Sequence, residues 1–386
     1  MTDDAGMWES TAAWRELLDG VRDLDAHFLE GPRAVNGEQA IAEGYKFLAT
    51  MLGLAFDIYL FSDPARPRFA DINTPFRADR RWGGDNTDAY YAFAPVDPER
   101  AYRVSGTRGD STYFSITVYN EPAPGQWSNR VVGVVNDSDL SFGPDGEFEL
   151  YLGPDRPDGY DGPFIELTPD AAAAMTRDYQ LDPSTGRRVH WSIEALDPPA
   201  DFRESDPTTA RGLRTARRWI EENFAIVPIP VGGASRDERI GEGHNTPVGA
   251  NVCAEPYRVP DANYGWSATD AVYSFGTYSL RPDDALVITH TPPQCRFWNV
   301  VVWNPFMATY NAGYSRVSVN NGSAIPNRDG SVTVVIARDT LAHPNAVSTL
   351  GHPDGMLAFR WFHADDVPAT PSCDVVPVTD VPRDLS

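Results

Sequence analysis

Phe297-Trp298-Asn299-Val300-Val301-Val302-Trp303-Asn304 is the stretch whose reading decides the fold. Aromatic and β-branched residues fill it with almost no polar interruption, so it reads as a strand buried on both faces that ends in an amide. A second version, Tyr113-Phe114-Ser115-Ile116-Thr117-Val118-Tyr119-Asn120, stands 184 residues earlier. The same offset relates Pro98-Glu99 to Pro282-Asp283, and Asp145-Gly146 to Asp329-Gly330. Thr87-Asp88-Ala89 matches Thr269-Asp270-Ala271, Tyr91-Ala92-Phe93 matches Tyr273-Ser274-Phe275, and Arg130-Val131 matches Arg316-Val317, at offsets of 182, 182 and 186. More loosely, Gly186 to Trp191 resembles Gly355 to Trp361. Several weak matches in one order at a nearly constant offset imply an internal duplication.

Each copy is rich in short period-two segments. In the first these are Ala89–Phe93, Tyr102–Ser105, Tyr113–Tyr119, Val131–Val135, Phe148–Leu152 and Val189–Ile193, punctuated by turns such as Gly109-Asp110. In the second they run from Ala271 to Phe362. The expected architecture is mainly β with helical additions: two tandem jelly-roll-like antiparallel sandwiches, an N-terminal helical cap and a helical linker. The expected boundaries are a cap and loop over 1–84, a first module over 85–200, a linker and mobile loop over 201–265, and a second module with its tail over 266–386.

Helical spacing places Trp14, Leu17, Leu18, Val21, Leu24 and Phe28 on one face, and Gly31-Pro32 ends that segment. A second helix is expected from Gly37 towards Leu60 and a third from Asp206-Pro207 to Phe224. Asp63 to Gly84 reads as loop, and Thr168-Pro169-Asp170 before four alanines reads as a short capped helix. Gly232 to Pro247 reads as a mobile loop, and the Pro-rich tail beyond Asp365 as surface chain.

With 32 basic and 55 acidic residues among 386, the formal net charge is −23. Such a chain repels phosphate backbones and anionic lipid, so neither nucleic acid nor a membrane is an expected partner. The three cysteines, Cys253, Cys295 and Cys373, form no CxxC pattern, and the acidic start is followed by no apolar signal region. A cytoplasmic protein is expected.

The run from Asp85-Asn86-Thr87-Asp88-Ala89-Tyr90-Tyr91 to Tyr102-Arg103-Val104-Ser105-Gly106 resembles the bacterial domain-of-unknown-function family twelve-fourteen, often paired with the twelve-fifty-four domain. Tyr278 to Ile288 and Cys295-Arg296-Phe297-Trp298-Asn299-Val300 extend that resemblance, which covers most of the chain from Asp85 to Phe362. It implies two β-sandwich domains and supplies neither an activity nor catalytic residues.

For chemistry the sequence offers few signatures. None of the seven histidines falls into an HxH or HxxxH pair, and Gly-x-Ser-x-Gly is absent. Gly241-Glu242-Gly243 lacks the rest of a dinucleotide fingerprint. No metal and no cofactor are expected. The candidates are polar and aromatic residues at strand ends. Asp85 follows a Trp82-Gly83-Gly84 turn and could serve as a general acid or base; His290 ends a strand and could act as a base; Arg316 could anchor an anion. These three are the catalytic candidates. Asn86, Tyr91, Asn120, Trp127, Arg130, Trp303, Asn304, Tyr310, Arg360 and His363 are the substrate-binding candidates. Asp88, Arg130 and Arg316 recur in both copies, which favours a part in building the fold. Trp303 replaces Tyr119 and is followed by Pro305 to Tyr310, an expected flexible aromatic lip. The functional expectation is a small apolar or ring-containing ligand in a cleft between the modules, either turned over by cofactor-independent acid–base chemistry of hydrolase or lyase type, or merely bound. Carbohydrate or metabolite binding and homo-oligomeric assembly are the alternatives.

Overall fold

The computed structural model describes residues 8–198, 201, 203–231, 249–262 and 265–382. The mobile-loop expectation for 232–247 falls outside them. The first module comprises β1 (Ala70–Asn73), β2 (Ala89–Pro95), β3 (Tyr102–Thr107), β4 (Tyr113–Asn120), β5 (Val131–Asn136), β6 (Glu147–Gly153), β7 (Phe164–Glu166), β8 (Ala171–Tyr179) and β9 (His190–Ala195). They form two sheets, ordered β1-β2-β8-β4-β5 and β7-β6-β3-β9. The second comprises β10 (Val252–Cys253), β11 (Tyr257–Arg258), β12 (Ala271–Ser279), β13 (Asp284–His290), β14 (Phe297–Trp303), β15 (Ser318–Asn320), β16 (Val332–Ala337), β17 (Ala346–Ser348), β18 (Asp354–Phe362) and β19 (Ser372–Pro377). Their order, β10-β12-β18-β14-β15 with β11 also on β12, and β17-β16-β13-β19, repeats that of the first module. Even the one parallel pair in each outer sheet recurs, β6 with β7 and β16 with β17.

Four expectations change. The four alanines do not begin a helix: Ala171–Tyr179 is the central strand β8, hydrogen-bonded to β2 and β4 on its two sides. Alanine's helix propensity is a weak preference, and the small side chain suits a strand flanked by Tyr119 and Val118. The partner of β18 in the repeat is therefore β8, not the segment around Gly186 to Trp191. The loop over 63–84 contains β1, and the C-terminal tail contributes the edge strand β19. Cys253 and Cys373, distant in sequence, thereby come within 3.5 Å as free thiols.

Period two sorts β14 into two faces. Trp298, Val300 and Val302 enter the core between the two sheets of the second module. Phe114, Ile116 and Val118 of β4 do the same in the first. Each such side chain is worth roughly 1.5–3 kcal/mol on full burial. The opposite faces are buried as well, because the modules dock through their inner sheets: Tyr113 and Tyr179 pack on Phe297 and Phe362. Four sheets are thus stacked, with the duplicated strands in the two central layers.

The repeated Thr-Asp-Ala turns fasten this docking reciprocally. Asp88 accepts hydrogen bonds from Asn299 (2.7 Å) and Ser318 (3.1 Å) of the second module, whereas Asp270 accepts one from Tyr113 (2.6 Å) of the first. The ion pair between Arg296 and Asp137 crosses the same junction.

Helices close one end of the stack. They are α1 (Glu9–Arg22), α2 (Ala26–Leu29), α3 (Glu38–Ala55), extended by a wider turn over Phe56–Leu60, and α4 (Asp206–Ile226). Ser205 caps α4 through Thr208 N, Pro207 starts its first turn, and the Asp206 carboxylate accepts Glu9 N and Ser10 N at the start of α1. Leu213, Ala216, Trp219, Ile220 and Phe224 of α4 join Leu17, Phe28, Phe47, Met51 and Leu54 in one apolar cluster. No described helix is long and apolar enough to cross a membrane.

Candidate functional site

Where the helical cap meets the junction of the inner sheets, the described residues enclose a cavity of about 190 Å³. Eight of its lining residues are aromatic, among them Trp82, Trp127, Trp266, Trp303, Tyr91 and Tyr273. Both modules contribute, through β2 and β8 on one side and β12, β14 and β18 on the other. Trp82 is fixed by its indole N–H, which donates to Ile72 O at 2.9 Å, and by an edge contact with Trp219. Trp303 donates to Asp85 O at 2.8 Å. Gly84 holds a left-handed φ of 77° beside Trp303 and Met307, where a Cβ would stand 3.3–3.4 Å from their atoms.

Five polar side chains interrupt this wall: Ser267, Asn223, whose amide donates to Trp219 O, and the deeply buried Asn73, Arg177 and Arg360, at 2%, 2% and 4% exposure. The arginines are counterparts in the duplication. Arg177 of β8 lies opposite Tyr91 and Ser115, and Arg360 of β18 lies opposite Tyr273 and Asn299. A guanidinium keeps its charge at this depth. Arg177 donates to Thr117 Oγ1 (3.0 Å), Tyr119 Oη (2.6 Å) and Trp266 O (2.7 Å). Arg360 donates to Gly84 O and lies over the rings of Trp303 (5.0 Å) and Tyr273 (5.8 Å), but its Nη1 has no partner. Both amide atoms of Asn73 also lack a partner. Among the described residues no carboxylate forms an ion pair with either arginine. Burial pushes Tyr119 up to about 12 even beside Arg177, so this phenol is neutral.

Of the sequence candidates, Tyr91, Trp127, Trp303 and Arg360 line this cavity. The others do not. Asp85 is buried behind it, accepting Thr309 N at 2.7 Å and the Thr309 hydroxyl; burial raises its carboxyl to about 6, against those bonds and the charges of Arg81 and Arg360. Asn86 accepts from Asn299 Nδ2 across the module junction. Asn120 binds Asn129 and Asp170 and lines a separate hollow near α4. Arg130 pairs with Asp170, and Arg316 donates to the carbonyls of Ser318, Pro344 and Ser323. Tyr310 is bonded to Tyr278 inside the second module, and His363 faces Asp270.

His290 lies in the core of the second sandwich, its ring 4.6 Å from Trp298 and 4.9 Å from Phe359, with neither nitrogen hydrogen-bonded. Burial holds it down at about 3. The duplication explains the position. His290 pairs with Val332 where the first module pairs Gly106 with Phe148, and a Cβ on Gly106 would stand 2.5 Å from the Phe148 ring. One module fills the space from β6 and the other from β13. Asp85, His290 and Arg316 therefore keep separate company, and none faces the cavity.

The expected lip is a clamped turn. Asn304 Oδ1 accepts Phe306 N and Ala308 N, its Nδ2 donates to Glu43, and Phe306 is fully buried against Phe28 and Phe47. Only Met307, at φ 55°, reaches the cavity from it.

The family model described as Protein of unknown function (DUF1214) matches residues 88–183 and 277–366, spans that fall within the two β modules. The first DUF1214 region contains Arg177 and the second Arg360. The chain is similar to the crystal structure of an uncharacterized protein from Burkholderia cenocepacia, with 26% identity over 96% of this chain and 98% of that one and a TM-score of 0.85. It also resembles the VPA0106 protein from Vibrio parahaemolyticus, at 12% identity over 92% of this chain and all of that one, with a TM-score of 0.50, a likeness of fold alone. No curated protein matches it. The DUF1214 regions thus carry the duplicated strands and both buried arginines, without an activity attached to them.

Proposed function

We propose that this DUF1214 protein binds a small ring-containing molecule in the cavity between its two modules. The observation that carries this reading is the cavity wall, in which four tryptophans and two tyrosines surround about 190 Å³. A dry cavity of about 150 Å³ takes benzene, so this volume suits a single ring with a small substituent. Binding is better supported than acid–base turnover. No carboxylate and no histidine is among the described residues of the wall, and burial raises the Tyr91 phenol above its ordinary value.

Native mass spectrometry of the purified protein, with tryptophan fluorescence during titration with single-ring compounds, tests this. A bound or titrating ring compound is expected, displaced in the cavity-filling variant Met175→Trp. Binding that Met175→Trp leaves unchanged would place the ligand elsewhere and contradict the reading.

A further inference from the structure

The two modules present the same cation to the cavity but treat it differently. In the first, Thr117 and Tyr119 on β4 accept two of the donors of Arg177. At the offset of 184 residues their counterparts on β14 are Val301 and Trp303. Valine has no acceptor and indole only donates, so neither can take the place of Thr117 or Tyr119. Arg360 is left with a ring on either side and an unused Nη1. A buried donor without an acceptor is costly, the more so on a charged group, and is retained most readily where a ligand completes it.

Charge points the same way. Arg177 and Arg360 bring two positive charges to an apolar space, and the described carboxylate that acts on Arg360, Asp85, already serves Thr309 and Arg81. The ligand should therefore be anionic. An unpartnered guanidinium nitrogen and an unpartnered carboxamide on the wall of one cavity suit the two oxygens of a carboxylate.

Resting on the binding reading above, we propose that the ligand class is a single-ring aromatic monocarboxylate, its carboxylate held by Arg360 Nη1 and Asn73 Nδ2 and its ring stacked among the cavity tryptophans. Arg360 is the specificity-determining residue, and Arg177 is the internally satisfied copy.

The full chain is titrated by calorimetry with phenylacetate, with its neutral isostere phenylacetamide, and with inorganic phosphate. Phenylacetate should bind at least about tenfold more tightly than the amide, the discrimination of one charge-assisted hydrogen bond. Arg360→Met should remove that discrimination, weakening phenylacetate far more than the amide, a difference that simple loss of structure does not produce. Arg360→Lys, which keeps the charge without the fork, serves if the methionine variant fails to fold, and should retain part of the preference. Equal binding of amide and acid would overturn the carboxylate proposal and leave the ring-binding reading standing. Phosphate competing as well as phenylacetate would overturn the ring-acid class. Failure of both ring compounds to bind would overturn both readings.

Discussion

Arg177 and Arg360 occupy one position of one duplicated strand, and the comparison between them separates architecture from recognition. Around Arg177 the neighbours are acceptors, Thr117, Tyr119 and the Trp266 carbonyl. Around Arg360 they are rings, Trp303 and Tyr273, with one backbone carbonyl at Gly84. The first arginine is a closed network that ties β8 to β4 and to the segment before β12. The second is held in place and left chemically open. A duplicated fold can keep a buried cation in both halves and, by changing two residues on the adjacent strand, turn one copy from a strut into a binding group.

Removing each arginine gives the sharpest test of that contrast. Arg177→Met removes the donors that Thr117, Tyr119 and the Trp266 carbonyl accept, and should cost about 3 kcal/mol in urea unfolding. Arg360→Met loses one carbonyl bond while relieving an unpaired donor, and should cost about 1 kcal/mol by the same measure. Equal losses would break the comparison.

A second contrast lies between Gly106 with Phe148 and His290 with Val332. If His290 is a packing ring, its neutral form is needed in the fold. Its folded value of about 3 lies below the unfolded 6.5, so its contribution is present above pH 6.5 and lost as pH falls towards 3. His290→Leu should remove about 2 kcal/mol of the stability otherwise lost between pH 7 and pH 5, read from urea curves at the two pH values, and should not alter ring-compound binding. Weakened binding in this variant would return His290 to the functional site.

Val301→Thr restores on β14 the hydroxyl that β4 supplies at Thr117. With an internal acceptor, Arg360 should lose up to about tenfold in carboxylate affinity by calorimetry, at little cost in stability. Unchanged affinity would show that the missing hydroxyl is not what leaves Arg360 open.

Asp85 gives the smallest effect. Its folded value of about 6 lies above the ordinary 3.8, so its contribution is fully present below 3.8 and lost as pH rises through about 6, opposite in sign to that of His290. Asp85→Asn should remove about 1 kcal/mol of the gain on acidifying from pH 7 to pH 5, again by urea unfolding.

Much of the fold was legible because the duplication was written in large apolar residues. Phe297–Trp303 and Tyr113–Asn120 could be aligned directly, and the helices and most strands followed from their periods. The alanines of β8 hid the rest. Alanine carries a helical signal in isolation, so the strand that holds Arg177 went unread, and with it the partner of Arg360. The docking of the inner sheets was also invisible, since period two says which residues share a face and not what that face meets. Trp303, Tyr91, Trp127 and Arg360 could be named from the sequence, whereas Asn73, Trp82, Trp266 and Arg177 gather only once the sheets are stacked. The signal that would have found Arg177 was present, at an offset of 183 residues from Arg360 and between matches at 182 and 184.

The central claim, that Arg360 and not Arg177 receives the ligand, is tested most directly by a crystal structure of the protein with phenylacetate bound. The account predicts the carboxylate within hydrogen-bonding distance of Arg360 Nη1 and the ring among Trp82, Trp127, Trp266 and Trp303. A carboxylate on Arg177, or a ring bound outside the cavity, would contradict it.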